Sequence, residues 1–392
     1  MKIAIVGAGL MGRLLALSLH RQGEYTVSLF DKDTKLAHNS AAYAAAGLLT
    51  PLGESLHCEN NIVAMGFESL TLWPTLLATL DEQTFFQQTG AIMVSHEQDK
   101  GDYLRFVRHL QHHYPDKKLH TLNRANITEL EPELGRSFNQ GLYLPEEGQI
   151  GNRRLLVALR KQLEQEGVKW LSETIVTAIK ATSQGSSVTY VQNNAQQETE
   201  QFDLVIDCRG TGATQKQANN CAPLADLRAV RGELFQLYAP NVSLTRPVRL
   251  MHPRYQLYIA PKGKGYYVVG ATEVESDDNA NMTVRSAMEL LSAAYSVHPG
   301  FAEANIRQHI SQTRPAFSDN QPQILVKNSL IQVNGLFRHG FLIAPVVLAQ
   351  VMATVENLKS NTNKTLPYAH LLPTQNLVAH LHKEESSHEY TH

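Results

Sequence analysis

Three glycines near the start of the chain, Gly7, Gly9 and Gly12, have the GxGxxG spacing of a loop that binds a pyrophosphate. The first glycine makes the turn, the second lets backbone amides approach the phosphates, and the third allows a helix to pack closely on a strand. Asp31 lies nineteen residues after the last glycine, where an acid can accept hydrogen bonds from a ribose. A glycine-rich turn without a ligand is the alternative. The spacing favours a dinucleotide-binding site, with Lys32 beside the acid.

The residues around these glycines predict the strand, helix and strand that such a site needs. Residues 2–6 form an apolar run, and residues 10–22 carry leucines at helical density before Gly23 ends the helix. Residues 26–30 are typical of a second buried strand. The helix N-terminus then points at the phosphates, where its dipole favours their negative charge. This context supports dinucleotide binding beyond the glycines alone.

The rest of the chain predicts a mixed α/β fold. Helices are expected at 66–88, 100–114, 153–166, 284–295 and 346–357, and strands at 90–95, 168–171, 174–179, 187–191, 202–210 and 330–333. Residues 227–272 carry closely spaced strands without helices between them, which indicates an antiparallel sheet. The next core strand that runs into a glycine comes only at residues 203–210, so the nucleotide domain is interrupted. This interruption favours FAD over a nicotinamide cofactor.

Composition and charge argue against several other classes of protein. The 35 basic residues are balanced by 37 acidic ones, so the chain has no electrostatic footprint for nucleic acid or an anionic membrane. The longest late apolar stretch, residues 341–353, is shorter than the roughly 20 residues of a membrane span. Three cysteines without CxxC spacing indicate a cytoplasmic setting, and the 17 histidines show no metal-binding pattern. We expect a soluble protein without a metal that acts on small molecules.

Several stretches fall in the order of one known family. They are the fingerprint at 7–12, AAAGLL at 44–49, residues 203–210, VRGE at 230–233, YIAP at 258–261, VVGAT at 268–272, the Arg-Pro pair at 314–315 and residues 335–345. With these motifs the chain resembles glycine oxidases of the thiamine-pathway type, a branch of the D-amino-acid oxidase family, from residue 1 to about residue 357.

The resemblance implies an FAD-binding Rossmann-like domain and a substrate-binding domain built on an antiparallel sheet. The FAD-binding domain is expected to be discontinuous, with residues 1–65, 145–225 and 325–360. Residues 66–144 and 226–324 are expected to form the substrate-binding domain. The polar end of the chain, residues 378–392, is expected to be a disordered tail.

The resemblance also implies which residues contact FAD. The alanine-rich tract at 40–47 is expected to pass beside the pyrophosphate and flavin, although a weak or tightly packed helix explains the alanines equally well. Residues 336–342 are expected to lie along the isoalloxazine ring. The expected cofactor contacts are Gly7, Ala8, Gly9, Leu10, Met11, Gly12, Asp31, Lys32, Ala41, Ala42, Ala46, Gly47, Leu48, Val176, Gly210, Leu336, Phe337, Arg338, His339, Gly340, Phe341 and Leu342.

Substrate recognition is expected at Arg314, because a planar guanidinium can hold an amino-acid carboxylate with two parallel hydrogen bonds. Arg338 and Tyr258 are expected to line the same pocket, although each also suits an ordinary structural role. The implied chemistry is hydride transfer from the substrate α-carbon to flavin N5, hydrolysis of the imine, and reduction of O2 to hydrogen peroxide. The protein's part in this chemistry is to bind and orient the substrate, so we assign no general base.

Some residues depart from the family pattern and keep other functions open. Glu273 stands where the family often has an apolar residue, and it could favour a cationic amine or repel amino acids. Two alternatives to a glycine or small-amine oxidase therefore remain. One is an accessory flavoprotein that modifies a protein partner, as in quinone-cofactor maturation, and the other is a dehydrogenase that passes electrons to a carrier. A homo-oligomer also stays open.

Overall fold

The structure is a computed structural model, and it describes residues 1–192, 196–218, 221–252 and 257–376. The tail predicted at residues 378–392 lies outside the described residues.

The described residues form both strands and helices, as expected for the predicted mixed α/β fold. The strands are β1 (Lys2–Val6), β2 (Thr26–Phe30), β3 (Leu48–Leu49), β4 (Phe86–Gln87), β5 (Ala91–Ser95), β6 (His120–Asn123), β7 (Gln140–Leu144), β8 (Gly148–Ile150), β9 (Lys169–Leu171), β10 (Thr174–Thr182), β11 (Gly185–Gln192), β12 (Glu198–Phe202), β13 (Leu204–Asp207), β14 (Arg228–Tyr238), β15 (Val248–Met251), β16 (Leu257–Pro261), β17 (Tyr266–Gly270), β18 (Asn305–Ala316), β19 (Gln323–Lys327), β20 (Leu330–Asn334) and β21 (Thr374–Asn376). The α-helices are α1 (Leu10–Arg21), α2 (Pro51–Glu54), α3 (Asn60–Ala78), α4 (Lys100–His113), α5 (Arg124–Leu130), α6 (Asn152–Gln165), α7 (Val284–Val297) and α8 (Gly340–Ser360).

The first of the two large sheets has a parallel core of five strands. Its strands lie in the order β9, β2, β1, β13 and β20, which is 3-2-1-4-5 when these five are numbered along the chain. An antiparallel strand, β19, extends the sheet beside β20, and β21 completes that edge. The apolar residues of β1 and β13 are buried on both faces, as a parallel sheet between helices requires. This order confirms the predicted Rossmann-like unit.

The second part is an eight-stranded sheet in the order β18, β14, β17, β16, β15, β5, β7 and β6. Neighbouring strands are antiparallel except for β15 and β5, which are parallel. The predicted antiparallel sheet is therefore confirmed, and residues 91–144 add three strands to it. Helix α7 packs on one face through buried Leu290, Ala293 and Val297.

Helix α8 begins at Gly340, six residues before the predicted start at residue 346. Pro345 lies inside the helix, and because proline has no N–H, the carbonyl oxygen of Phe341 loses its usual helical donor. The indole Nε1 of fully buried Trp73 donates to that oxygen instead, at 2.9 Å. The segment Phe337–Ser360 is long and apolar enough to cross a membrane, but 67% of its most apolar window is buried inside the protein. This burial is typical of the core helix of a protein.

The observed bounds of helix α3 differ from the predicted ones, and this changes one predicted domain boundary. It spans Asn60–Ala78, whereas the sequence predicts a helix over 66–88, and polar residues 81–83 follow its end. Ile62 and Trp73 of α3 both belong to the apolar core around the parallel sheet, and α3 packs against α8. The predicted domain boundary at residue 65 therefore falls inside one helix. We propose that residues 66–78 belong with the nucleotide-binding part.

Candidate active site

A cavity of about 1060 Å³ lies where the two sheets meet. It opens at the carboxyl ends of β1 and β13, between which the strand order of the parallel sheet reverses. Ligands of open α/β sheets bind at such a reversal point. The volume is at the upper end of the range of roughly 300–1,000 Å³ for small-molecule and cofactor sites.

The geometry of the glycine loop fits a dinucleotide. A Cβ atom on Gly12 would lie 1.8 Å from the carbonyl oxygen of Gly7, so only glycine lets α1 start this close to the loop. Gly7 has φ +102°, which favours glycine. Gly9 lines the cavity with no atom within 4 Å of its Cβ position, so backbone faces open space there. The N-terminus of α1 points at this space, as a pyrophosphate requires.

Asp31 follows β2 and lines the same cavity. Its carboxylate accepts hydrogen bonds from the backbone N–H of Ala8 and, at 2.7 Å, from that of Asp33. Burial raises the pKa of Asp31, while these two N–H groups oppose the shift. The acid therefore ties the end of β2 to the glycine loop, and each oxygen keeps a lone pair for a ribose hydroxyl.

The alanine-rich tract forms turns at residues 41–44 and has no regular secondary structure at residues 45–47, so the helical alternative is excluded. The side-chain amide of Asn152, in the first turn of α6, donates to the carbonyl oxygens of Ala42 (2.9 Å) and Tyr43 (3.1 Å). A Cβ on Gly47 would lie 2.3 Å from the carbonyl oxygen of Ile150. These contacts hold the tract with its small side chains along the cavity wall.

Arg314 projects from β18 across a gap that a glycine leaves open. A Cβ on Gly232 of the neighbouring β14 would lie 2.1 Å from Nη2 of Arg314, so any larger residue there would displace the guanidinium. Arg314 Nη1 donates to the carbonyl oxygen of Thr272 at 3.2 Å. No carboxylate of the described residues forms an ion pair with Arg314. The guanidinium thus keeps donors for a ligand in the cavity.

Tyr258 projects from β16 into the same cavity, above Gly270 of the adjacent β17. Burial raises its pKa, although the charge of Arg314 opposes the shift. The hydroxyl therefore stays protonated at neutral pH and can donate a hydrogen bond.

Arg338, in a 3₁₀ helix at Phe337–His339, is bound by two carboxylates. Its Nε and Nη2 donate to Oε2 of Glu54 at 2.8 and 2.5 Å, and its Nη1 donates to Oε2 of Glu273 at 3.0 Å. Arg249 of β15 donates to the other oxygen of Glu54. Burial alone would raise the pKa of Glu54, but the charges of Arg249 and Arg338 hold it well below its ordinary value. Two arginines and two glutamates therefore neutralise one another beside Arg314.

Two further groups border this network. Burial, with the charges of Arg338 and Arg249, lowers the pKa of His339 to about 4 despite nearby Glu54, so its imidazole is uncharged at neutral pH. Glu147 lies behind the cavity wall, where its Oε1 accepts from the backbone N–H of Gly53 at 2.8 Å and its Oε2 has no partner among the described residues. Burial raises the pKa of Glu147 to about 8.

Most of the predicted site residues line this one cavity. Those that do are Gly7, Gly9, Leu10, Met11, Asp31, Lys32, Ala41, Ala42, Ala46, Gly47, Leu48, Gly210, Tyr258, Arg314, Leu336, Phe337, Arg338, His339, Gly340, Phe341 and Leu342. Ala8 and Gly12 lie in the loop itself but do not line the cavity. Val176 lies on β10, packed against a separate apolar cluster and outside the cavity lining, and its predicted contact with FAD stays a prediction.

The sequence did not reveal Glu54, His57 or Arg249, which also line the cavity. Glu54 and Arg249 are 195 residues apart, and neither lies in a motif with recognised spacing. The only local signal is the position of Glu54, a few residues after the alanine-rich tract.

Comparison with known proteins places the chain in a family. The profile of the family described as FAD dependent oxidoreductase matches residues 2–354. The chain is 34% identical, over 351 residues, to a putative thiamine biosynthesis oxidoreductase ThiO of Rhizobium etli, which covers 90% of this chain and 95% of that protein. It is 24% identical to a glycine oxidase of Bacillus licheniformis, over 87% of this chain and 89% of that one.

The fold is also similar to that of a solved structure. The glycine oxidase of Geobacillus kaustophilus superposes with a TM-score of 0.78, at 22% identity, over 95% of this chain and 98% of that one.

Proposed function

Because the chain belongs to the family of FAD-dependent oxidoreductases, we propose that it oxidises glycine or another small amino acid or amine with O2 as the acceptor. The products of glycine would be glyoxylate, ammonia and hydrogen peroxide, with one water consumed. The observation that carries this proposal is Arg314, a half-buried arginine that shares a cavity with the glycine loop and retains donors for a carboxylate.

The residues of this chain suit the binding of FAD. The glycine loop and the N-terminus of α1 would hold the pyrophosphate, Asp31 the ribose, and residues 41–48 and 336–342 the flavin end. When bound, FAD supplies the two-electron acceptor for a hydride from the substrate α-carbon and passes the electron pair to O2.

The protein's own contribution is to bind and orient the substrate. Arg314 would hold the carboxylate through two parallel hydrogen bonds, and the protonated hydroxyl of Tyr258 would supply a further donor. Arg338 lies in the cavity, but Glu54 and Glu273 occupy its Nε, Nη1 and Nη2. We therefore assign the carboxylate to Arg314, and Arg338 to the wall of the pocket.

Cellular setting and partners are part of the same proposal. The three free cysteines, Cys58, Cys208 and Cys221, support a cytoplasmic enzyme. The similarity to a thiamine biosynthesis oxidoreductase supports a role in that pathway. Homo-oligomerisation and a protein partner stay predictions.

Oxygen uptake and peroxide production test the proposal. Purified protein is reconstituted with FAD and assayed with glycine, sarcosine and a panel of D- and L-amino acids. We expect peroxide in equal amount to the oxygen consumed, and loss of activity in Arg314→Met with FAD still bound. Electron transfer to an artificial carrier without oxygen uptake would favour the dehydrogenase instead. Flavin that none of these compounds reduces would favour an enzyme acting on a protein partner.

A further inference from the structure

Two of the arginines that line the cavity, Arg314 and Arg338, differ in their partners. Within the described part of the chain, Arg314 donates one hydrogen bond, to the neutral carbonyl oxygen of Thr272. Arg338 makes ion pairs with both Glu54 and Glu273. One positive charge is therefore available to a ligand at Arg314, while the charge of Arg338 is already balanced.

The position of Glu273 is fixed by the residues on either side of it. The backbone N–H of Thr272 donates to the carbonyl oxygen of Glu233 at 3.1 Å, and its hydroxyl donates to the buried carboxylate of Glu233 at 3.0 Å. On the other side, Val274 and Arg231 exchange two backbone hydrogen bonds, of 2.8 and 2.9 Å. The loop between these anchors leaves the side chain of Glu273 at the cavity wall, 47% exposed.

We propose that Glu273 restricts the substrate to amino acids with a single carboxylate, by placing negative charge beside the arginine that would otherwise bind a second one. This inference rests on the proposed function and names the substrate class of the same site. Glycine and sarcosine carry one carboxylate, which Arg314 holds. A compound such as iminodiacetate carries two, and its second carboxylate meets the negative charge of Glu273. Like charges in a partly buried site repel strongly enough to decide specificity.

Removing the charge should admit the second carboxylate. In Glu273→Gln, Glu54 still binds Arg338 through Nε and Nη2, while the ion pair between Nη1 and Glu273 is lost. The site then gains one net positive charge. The matched control is Glu275→Gln, which removes a glutamate two residues away that pairs with Arg228 and does not line the cavity.

The test compares ligands that carry one carboxylate with ligands that carry two. Acetate and malonate are titrated into each FAD-loaded protein, and binding is measured by calorimetry. Glycine and iminodiacetate are compared as substrates by oxygen uptake. In Glu273→Gln we expect the affinity for malonate relative to acetate to rise about tenfold or more, with a parallel rise in kcat/KM for iminodiacetate relative to glycine. Glu275→Gln should match the wild type.

Binding and turnover separate this inference from the proposed function. If no compound is oxidised but the malonate-to-acetate ratio still rises in Glu273→Gln, the role of Glu273 stands and the proposed reaction fails. If glycine is oxidised and the ratio stays within about twofold of the wild type, the role of Glu273 is overturned. Glu273→Met provides the same comparison if the glutamine variant does not retain FAD.

Discussion

Gly232→Ala tests whether the site depends on the position of Arg314. The added Cβ would lie 2.1 Å from Nη2 and 2.2 Å from Cζ of that side chain, whereas ordinary contacts begin at 3.4 Å. The guanidinium must therefore move by about 1.3 Å, which is the difference between 3.4 and 2.1 Å. A displacement of this size at a positioning group costs about a hundredfold in rate, or roughly 2.7 kcal/mol. We expect kcat/KM for glycine to fall by about that factor.

The assay is oxygen uptake on FAD-loaded protein, with flavin content measured from the absorbance spectrum. Gly101→Ala is the matched control, because no atom lies within 4 Å of its Cβ position in α4. In an Arg314→Met background, Gly232→Ala should cause no further loss, since the group that it displaces is already absent. The reasoning is refuted if Gly232→Ala keeps the wild-type kcat/KM, or if it reduces activity equally in both backgrounds.

Three further predictions concern cofactor binding and stability. Gly12→Ala, whose Cβ would lie 1.8 Å from a loop carbonyl oxygen, should yield protein without FAD; a full flavin spectrum would contradict this. Trp73→Phe should lower the free energy of unfolding in urea by about 1–3 kcal/mol, because the carbonyl oxygen of Phe341 loses its donor. Pro345→Ala restores a backbone N–H and should reduce that loss. If the effects of the two substitutions are additive, Trp73 does not replace the missing backbone donor. The pKa of Glu147, raised to about 8 from 4.5, means that the folded state binds the extra proton, so the free energy of unfolding should fall as pH rises between these values. Glu147→Gln should flatten this dependence, and an unchanged pH profile would show that the carboxyl is not protonated in the fold.

The parallel sheet could be predicted because each of its elements carries a local signal. Apolar runs, a glycine turn and a leucine-rich helix follow one another in short order at the start of the chain. The antiparallel sheet was similarly visible in closely spaced strands. The early start of α8 was missed because a proline normally lies in the first turn of a helix or beyond its end, whereas Pro345 lies inside α8. The carbonyl oxygen of Phe341, which this proline leaves without a helical donor, accepts instead from Trp73, 268 residues away from Phe341 in sequence.

The sequence predicted only those site residues that lie in recognisable motifs. Arg314 follows from a family resemblance, but the balance of charge around Arg338 depends on Glu54 and Glu273, which no local pattern brings together. Arg13 shows the same limit. In the sequence it interrupts an apolar segment, yet it is 1% exposed, and its guanidinium donates to three backbone carbonyl oxygens. Such buried charges are fixed by tertiary contacts that composition and periodicity do not record.

The central claim is that this cavity binds FAD and lets a small amino acid reduce it. The most direct measurement is the absorbance spectrum of the FAD-loaded protein, recorded anaerobically while glycine is added and then after oxygen is admitted. We predict that the yellow flavin bleaches with glycine or sarcosine, that oxygen restores the colour, and that Arg314→Met does not bleach under the same conditions. Flavin that stays oxidised with every amino acid tested, or protein that cannot be loaded with FAD, would contradict the account.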